Sequence, residues 1–174
     1  MKKILFTLLS VLVCLSASAQ QTKWHDASQL TIIGKALPTS KPFSRIDTAV
    51  YKFNSRTIDT YANYSTGVAV LFETDSHTLK AKWTTGGGNA GDNMTGILQK
   101  GLDLYILKDG KWIFAGVPRL KMRKAPFDKH QGTIVADMPE GTKQCLLYLP
   151  VFDKVDALEI GIDENSFIRG IDNP

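Results

Sequence analysis

Cysteine is nearly missing from this sequence, which holds only Cys14 and Cys145 in 174 residues. Cys14 lies in an N-terminal segment that we expect to be removed. Cys145 then has no partner for an intramolecular disulfide and no companion ligands for zinc. It stands in the strand-like run Gln144-Cys145-Leu146-Leu147-Tyr148-Leu149. That context predicts a small buried hydrophobic side chain and not a nucleophile.

Long apolar runs are missing as well, except at the N-terminus. Met1-Lys2-Lys3 precedes the uncharged run Ile4–Leu15, and Ala17-Ser18-Ala19 supplies the small-residue pattern that a signal peptidase reads. The run is too short to span a membrane, which takes about 20 residues. We therefore expect residues 1–19 to be a signal peptide, cleaved between Ala19 and Gln20. The remainder would be exported to the periplasm or beyond, with no transmembrane segment.

The sequence also lacks an excess of one charge. Its net charge of +4 falls to +2 when the leader takes Lys2 and Lys3 with it. Such a weakly charged surface gives no support for a nucleic-acid partner. Residues 20–174 have the length of one domain with its own hydrophobic core, and they contain no internal repeat and no linker.

No helical stripe of convincing length runs through the mature sequence, and short alternations take its place. In residues 79–84, Leu, Ala and Trp alternate with Lys, Lys and Thr, which is typical of a strand with one buried and one solvated face. Similar runs recur, and we count about nine strands, near residues 30, 50, 70, 80, 104, 113, 134, 146 and 159. This pattern predicts an all-β, two-sheet antiparallel sandwich with jelly-roll topology.

The connections between these runs agree with a sandwich. Asp109-Gly110 predicts a two-residue hairpin turn, Thr74-Asp75-Ser76-His77 predicts a short polar turn, and Pro150 ends a strand. Two longer segments, Thr84–Lys100 and Pro118–Gln131, are weakly patterned. Long loops of a compact sandwich are where binding is expected.

Gly101-Leu102-Asp103-Leu104-Tyr105 resembles the motif of the Gly-x-Asp-Leu-Tyr family, the β-sandwich at the N-terminus of SGNH-type (GDSL-like) esterases of Bacteroidetes. Other segments resemble that family in order and spacing across residues 24–162. They are Trp24-His25-Asp26, Ile33-Gly34-Lys35-Ala36, Phe43-Ser44-Arg45-Ile46, Ser65 to Ser76, Asp109-Gly110-Lys111-Trp112, Leu147-Tyr148-Leu149-Pro150 and Leu158-Glu159-Ile160-Gly161. The resemblance implies a structural motif made of Arg45, Gly101, Asp103, Tyr105, Tyr148 and Pro150.

In that family the sandwich precedes a catalytic α/β/α domain whose Ser nucleophile lies in a Gly-x-Ser segment. Here the sequence reaches Asp172-Asn173-Pro174 without such a segment, and Ser166 lacks the Gly-Asp-Ser context. We therefore expect no catalytic residue and no cofactor in this chain. The resemblance implies an esterase-associated domain whose partner, in relatives, is an SGNH-type catalytic domain that follows it.

The histidines offer little catalytic chemistry of their own. His25, His77 and His130 would each need a nucleophile and an orienting acid, and none adjoins a Gly-x-Ser-x-Gly elbow. We place His77 in a turn and His130 in a polar loop.

Carboxylates in predicted turns could in principle bind Ca²⁺. Asp75, Asp92 and Asp109 are such residues. Turn geometry alone accounts for aspartate at these positions, so we predict no metal site.

Asp103 has two interpretations. Strict alternation points Asp103 and Tyr105 away from the core, and with Lys80 and Lys82 on a neighbouring strand they would form a polar binding surface for a glycan or a catalytic domain. The alternative, which we favour, is a structural ion pair or hydrogen bond, with Arg45 as the candidate partner, since an unpaired carboxylate beside an apolar strand is costly.

The tryptophans follow the same reasoning. Trp83 and Trp112 have apolar neighbours at i±2 and are predicted to lie in the core, while Trp24 is placed at an unstructured start. No cluster of aromatic residues is required by the sequence to be exposed as a sugar platform.

Two functions remain open at this point. The first is a non-catalytic N-terminal accessory domain of an SGNH-type esterase that acts on acylated carbohydrates. The second is a free-standing, exported module that binds a carbohydrate or a protein. A third and less favoured function is an independent hydrolase with a new site. The sequence therefore leaves open whether this chain is itself an enzyme.

Overall fold

The computed structural model describes residues 21–88, 91–120 and 127–172. Within them the chain forms ten strands, two short α-helices and a 3₁₀ turn at Ala27–Gln29. The strands are β1 (Thr22–Asp26), β2 (Thr31–Ile33), β3 (Ala69–Thr74), β4 (Leu79–Thr85), β5 (Asp103–Lys108), β6 (Lys111–Gly116), β7 (Lys129–Val135), β8 (Lys143–Tyr148), β9 (Val155–Asp163) and β10 (Ile168–Gly170). The helices are α1 (Arg56–Ala62) and α2 (Gly96–Lys100).

The strands pair into two antiparallel sheets. One sheet has four strands in the order β1-β9-β4-β7, and the other contains β3-β8-β5-β6 with β10 and β2 added along the free edge of β3. Setting β2 and β10 aside, the chain order within the two sheets is that of an eight-stranded jelly roll. The predicted all-β sandwich and its jelly-roll topology are confirmed.

Side-chain alternation builds the space between the sheets. In β4, Leu79, Ala81 and Trp83 are buried, while Lys80 and Lys82 point outward. The facing strands do the same, so that one continuous core forms between the layers. Its largest fully buried side chains include Phe43, Phe72, Leu79, Leu102, Leu104, Leu147, Leu158, Ile160 and Ile162. Each such side chain contributes about 1.5–3 kcal/mol of hydrophobic stabilisation.

Two local predictions are confirmed. Asp109 and Gly110 have φ of 51° and 73°, the left-handed values that a two-residue hairpin needs, and they connect β5 to β6. Cys145 is buried and free in the core, where burial raises the pKa of its thiol to about 12.

Several strand predictions were incomplete. No strand forms near residue 50, where Asp47 accepts turn hydrogen bonds from its following residues. Strands β1 and β10 were missed, because three to five residues give too little alternation to count. The predicted loop Thr84–Lys100 contains α2, and the predicted loop Pro118–Gln131 runs into β7; residues 89–90 and 121–126 of these loops lie outside the described residues.

Trp112 was wrongly predicted to be buried. It lies on β6, the outer edge strand of the six-stranded sheet, and its side chain is 40% exposed. An apolar pattern along an edge strand cannot reveal that one flank has no neighbour. Trp83 is buried as predicted, with 2% exposure.

The predicted signal peptide, residues 1–19, lies outside the described residues. Within the described part of the chain, no helix is long and apolar enough to cross a membrane.

Candidate interaction surfaces

The Gly-x-Asp-Leu-Tyr motif lies where helix α2 passes into strand β5. Gly101 donates its N–H to the Ile97 carbonyl oxygen at 2.8 Å, and a Cβ at Gly101 would lie only 2.3 Å from that oxygen. Glycine is therefore required for close backbone approach. Leu102 and Leu104 are fully buried. Packing alone thus accounts for three of the five motif residues.

Asp103 is the motif residue that the sandwich does not use. Its side chain is exposed on the outer side of β5, and its cross-strand neighbour is Tyr148. Among the described residues, none donates a hydrogen bond to it or forms an ion pair with it. Partial burial nevertheless desolvates the carboxyl group and raises the pKa of Asp103.

The structural partner predicted for Asp103 is wrong. Arg45 turns elsewhere, and its Nη2 donates to the Tyr61 carbonyl oxygen at 3.2 Å. The two motif residues come from segments that a single sequence could not place relative to each other. Asp103 is left without the internal role that we had favoured.

Aromatic residues lie on the same outer face of the six-stranded sheet as Asp103. The ring of Tyr105 lies 5.8 Å from that of Tyr148 and 5.7 Å from that of Phe114, edge to face in both pairs. Tyr148 is 39% exposed and Phe114 is 55% exposed. A small buried cluster adjoins the rings and consists of Ala69, Leu71 and Leu146, with Ile33 and Ile171 packed against it. We call this surface, from Ile33 to Phe114 across the sheet, the motif face.

Lys80 and Lys82 lie on the opposite side of the molecule. They belong to β4 in the four-stranded sheet, whereas Asp103 and Tyr105 belong to β5 in the six-stranded sheet. The single binding surface predicted for these four residues is therefore wrong. Alternation reports whether a side chain points outward, but it does not report which sheet holds the strand.

Trp24 accompanies the two lysines and is not in an unstructured segment. It lies in β1, directly opposite Gly161 of β9. A Cβ at Gly161 would lie 2.8 Å from Trp24 Cζ3, so the indole rests on the space that glycine leaves. Lys82 Nζ stands 3.9 Å from the centroid of the indole ring. We call the outer side of β1, β9, β4 and β7 the lysine face.

A buried ion pair holds one end of the sandwich together. Lys100 Nζ lies 2.6 Å from Asp153 Oδ2, and both side chains are almost completely buried. Lys100 Nζ also donates to Thr85 Oγ1 and to the Gly86 carbonyl oxygen. Asp153 Oδ1 accepts the N–H groups of Gly86 and Lys154. The pair fixes the end of β4, helix α2 and the turn before β9, and no local sequence pattern indicated it.

A cleft of about 450 Å³ opens beside the α1 helix. Tyr61 is 55% exposed and Phe152 is 41% exposed, so aromatic rings are accessible here, which the sequence pattern did not indicate. Arg45 Nε and Gln99 Oε1 are buried with no hydrogen-bond partner in the described residues. The cleft is lined by Arg45, Tyr61, Tyr64, Thr66, Gly91, Met94, Gln99, Val151 and Phe152.

Two of the three histidines, His77 and His130, make structural contacts. His77 lies in the predicted turn, and its Nδ1 is 2.8 Å from the Met138 carbonyl oxygen. His130 is not in a loop: it is buried in β7, with Nε2 3.0 Å from Thr85 Oγ1. Burial and nearby Lys100 lower the pKa of His130. Thr85 is only 2% exposed, so this Thr–His contact cannot meet a substrate.

The turn Thr74–His77 is also structural. Asp163 Oδ2 accepts the His77 N–H at 2.8 Å, Ser76 Oγ accepts the Asp163 N–H at 3.0 Å, and Asp75 Oδ1 accepts the Phe167 N–H at 3.0 Å. Asp75 is thus committed to joining β3 and β10. No group of three His, Cys, Asp or Glu side chains comes together within the described part of the chain.

Comparison with known families identifies the fold. The GxDLY family model, described as the N-terminus of Esterase_SGNH_hydro-type, matches residues 22–168. The chain belongs to this family. The resemblance noted in the motifs is therefore confirmed, and the motif face carries the Asp and Tyr after which the GxDLY family is named.

Two solved proteins share the GxDLY fold. The crystal structure of a GDSL-like lipase from Bacteroides ovatus ATCC 8483 is similar at 38% identity and a TM-score of 0.80, covering 88% of this chain and 44% of that one. Salicylyl-acyltransferase SsfX3 from a tetracycline biosynthetic pathway is similar at 20% identity and a TM-score of 0.60, covering 91% and 43%. This GxDLY domain thus spans less than half the length of either protein. No curated protein matches it in sequence.

Proposed function

We propose that this chain is the non-catalytic accessory domain of an exported SGNH-type esterase that acts on acylated carbohydrates. In this proposal the motif face docks against the SGNH-type catalytic domain and stabilises it. The sandwich supplies a rigid support, and the catalytic domain supplies the nucleophile.

Asp103 is the observation that carries the proposal. Its exposed side chain has no partner in the described sandwich and is therefore free to accept a hydrogen bond or an ion pair from a docked domain. A cation or backbone N–H of a docked domain would satisfy it. The neighbouring Tyr105, Tyr148 and Phe114 supply the apolar and aromatic contact area typical of the centre of an interface.

The choice of the SGNH-type domain as occupant rests on the relatives. Family members carry this sandwich as the N-terminus of SGNH-type esterases, and it covers 44% of the Bacteroides ovatus relative. Strand β10 lies on the edge of β3, and Ile171 packs against the buried cluster of the motif face. Polypeptide that follows the sandwich in a longer protein would therefore begin beside this face.

A chimaera tests the docking. Residues 20–172 would replace the sandwich of the Bacteroides ovatus relative in front of its own remaining domain. We expect a protein that hydrolyses p-nitrophenyl acetate and unfolds in one shared transition. Asp103→Asn and Tyr148→Ala should each weaken docking by about 1–3 kcal/mol, separating the unfolding of the two parts.

Lys82→Gln on the lysine face is the matched control, and it should leave the shared transition unchanged. If Asp103→Asn and Tyr148→Ala also leave it unchanged, the motif face is not the docking surface. The purified chain alone should not hydrolyse p-nitrophenyl acetate. Saturable turnover that a serine reagent abolishes would contradict a non-catalytic role.

Two further experiments test the proposed substrate class and the proposed export. Release of acetate from acetylated xylan by the chimaera would support an acylated carbohydrate as substrate. N-terminal sequencing of the exported protein should begin at Gln20 if Ala17-Ser18-Ala19 is the cleavage signal.

A further inference from the structure

The lysine face contains an aromatic platform. Trp24 is half-exposed, and one side of its indole rests on Gly161. The sheet therefore holds the ring flat, in the orientation in which an indole can stack on the apolar face of a sugar ring. Trp112 is also exposed, but it lies on the edge strand of the other sheet, opposite Leu107 and not opposite a glycine.

Cations from neighbouring strands flank this platform. The cross-strand register places Lys80 between Gly161 and Thr133, and Lys82 between Glu159 and Gln131. A cleft of about 470 Å³ is lined by Lys80, Arg119 and Lys129, and none of the described residues that line it is acidic. A second cleft of about 450 Å³ is lined by Lys82, Lys129, Gln131 and Glu159 among others. Both clefts are open to solvent; the first is lined mainly by polar surface and the second mainly by apolar surface.

We propose that the lysine face binds an anionic glycan, a polysaccharide that carries carboxylate or sulfate groups. The ammonium groups of Lys80, Lys82 and Lys129 pair with the anions, and Trp24 stacks on a sugar ring. Lys82 now covers the indole, and its flexible four-carbon stem lets the ammonium move from the ring to an anion beside it. Gln131 and Glu159 provide acceptors for sugar hydroxyl groups.

A glycan fits this face better than a nucleic acid. The cations are spread over two clefts and interleaved with Glu159 and polar side chains, and the mature net charge is only +2. Nucleic-acid affinity depends on many phosphate contacts made at once. A sugar polymer with spaced charges needs fewer cations and gains from the aromatic ring.

This inference rests on the carbohydrate part of the proposed function, and it uses a different surface. Lys80 and Lys82 lie in the four-stranded sheet, whereas the motif face lies on the outer side of the six-stranded sheet. Docked catalytic domain and bound glycan can therefore coexist. The docking test in the chimaera and the binding test on the chain alone can fail independently.

Binding is measured with the purified protein, by calorimetry and by retardation in gels that contain polysaccharide. The probes are polygalacturonate, chondroitin sulfate, neutral xylan and double-stranded DNA. We expect binding to polygalacturonate or chondroitin sulfate, and the tighter of the two identifies the anion. The double variant Lys80→Gln, Lys82→Gln should weaken that binding at least about 10-fold, the loss of charge-assisted hydrogen bonds.

Tryptophan variants separate stacking from charge. Trp24→Ala should weaken binding at least about 10-fold, while Trp24→Phe, which keeps a smaller flat ring, should stay within a few-fold of wild type. Trp112→Ala and Lys108→Gln, Lys111→Gln on the other sheet are matched controls and should bind as wild type. Circular dichroism of each variant establishes that the fold is kept.

Three results would overturn the proposal. They are no binding to either anionic polysaccharide, equal losses for the Trp24 and Trp112 variants, and retardation by DNA as strong as by the anionic glycans. The last result would mean that the lysine face responds to charge alone. None of these results bears on the unfolding of the chimaera.

Discussion

Asp103 is a residue of the family motif that is expected to lower the folding stability of the domain that carries it. Partial desolvation raises the pKa of its carboxyl group, and no described residue compensates the charge. A carboxyl group whose pKa is higher in the folded state disfavours folding above that pKa, and the penalty disappears as the pH falls below it. We therefore expect Asp103 to contribute nothing to the stability of the isolated sandwich at neutral pH.

The replacement Asp103→Asn should consequently leave the melting temperature of the isolated domain unchanged or raised at pH 7. The neutral amide keeps the size of the side chain and removes the desolvated charge. Thermal unfolding of wild type and Asp103→Asn at pH 7 and at pH 4 measures the difference in melting temperature. Any increase at pH 7 should be smaller at pH 4. A fall of several degrees at pH 7 would mean that Asp103 has a structural role after all, and the docking proposal would lose its main support.

At the scale of secondary-structure elements, the buried Lys100–Asp153 pair connects segments that are distant in sequence. It joins α2, the end of β4 and the turn that leads into β9. Both charges are buried, and removing one of them leaves the other without compensation. These segments border the cleft that Gln99 and Phe152 line.

Lys100→Met should therefore lower the free energy of unfolding by about 3–5 kcal/mol. The double variant Lys100→Met, Asp153→Asn should recover part of the loss, because the amide oxygen of the introduced asparagine can still accept the Gly86 and Lys154 N–H groups without a buried charge. Urea denaturation of the two variants measures the difference. If the double variant is no more stable than the single one, lost packing around Lys100 and not the unpaired Asp153 is the cause.

Elements with full alternation could be predicted from the sequence alone. β4 repeats its pattern over seven residues, and the Asp109-Gly110 turn has a specific backbone requirement, so both were correctly placed. β10 has three residues, and β1 lies at a sheet edge where both sides are partly solvated. Their positions come from pairing with β3 and β9, which is a tertiary property that no local pattern contains.

The candidate surfaces were harder to predict than the strands. The outward direction of Asp103, Tyr105, Lys80 and Lys82 followed from alternation, but assigning them to one face required the sheet order. The packing of Trp24 on Gly161 could be predicted only from the strand register, which places the two residues opposite each other. Register and sheet order depend on contacts between segments far apart in sequence, and the family resemblance constrained the fold without assigning the faces.

The whole molecule presents two chemically different outer faces on one core. The motif face combines exposed aromatic rings with one unpaired carboxylate, and the lysine face combines cations with a flat indole. A jelly roll allows this because alternation in each sheet commits only the inner side chains to the core. One face can then specialise for a protein partner and the other for a ligand, while the same packed layers support both.

The shared core also makes the stability of the molecule depend on pH. Burial and Lys100 lower the pKa of His130, against the opposing influence of Asp128 and Asp153, and burial with Lys23 lowers the pKa of His25. A histidine whose pKa is lower in the folded state binds its proton first in the unfolded chain. Its contribution to stability is therefore complete above pH 6.5 and is lost as the pH falls through the range between the unfolded and folded pKa.

We therefore expect the free energy of unfolding to fall between about pH 7.5 and pH 5, at most by about 1.4 kcal/mol per pH unit for each such histidine. Urea denaturation at four pH values across that range measures the slope. His130→Gln should flatten it, since glutamine can still reach Thr85 but does not titrate. Equal slopes for wild type and His130→Gln would show that the buried contact between His130 and Thr85 tolerates a charged imidazole, and that the neutral form of His130 contributes nothing to stability in this pH range.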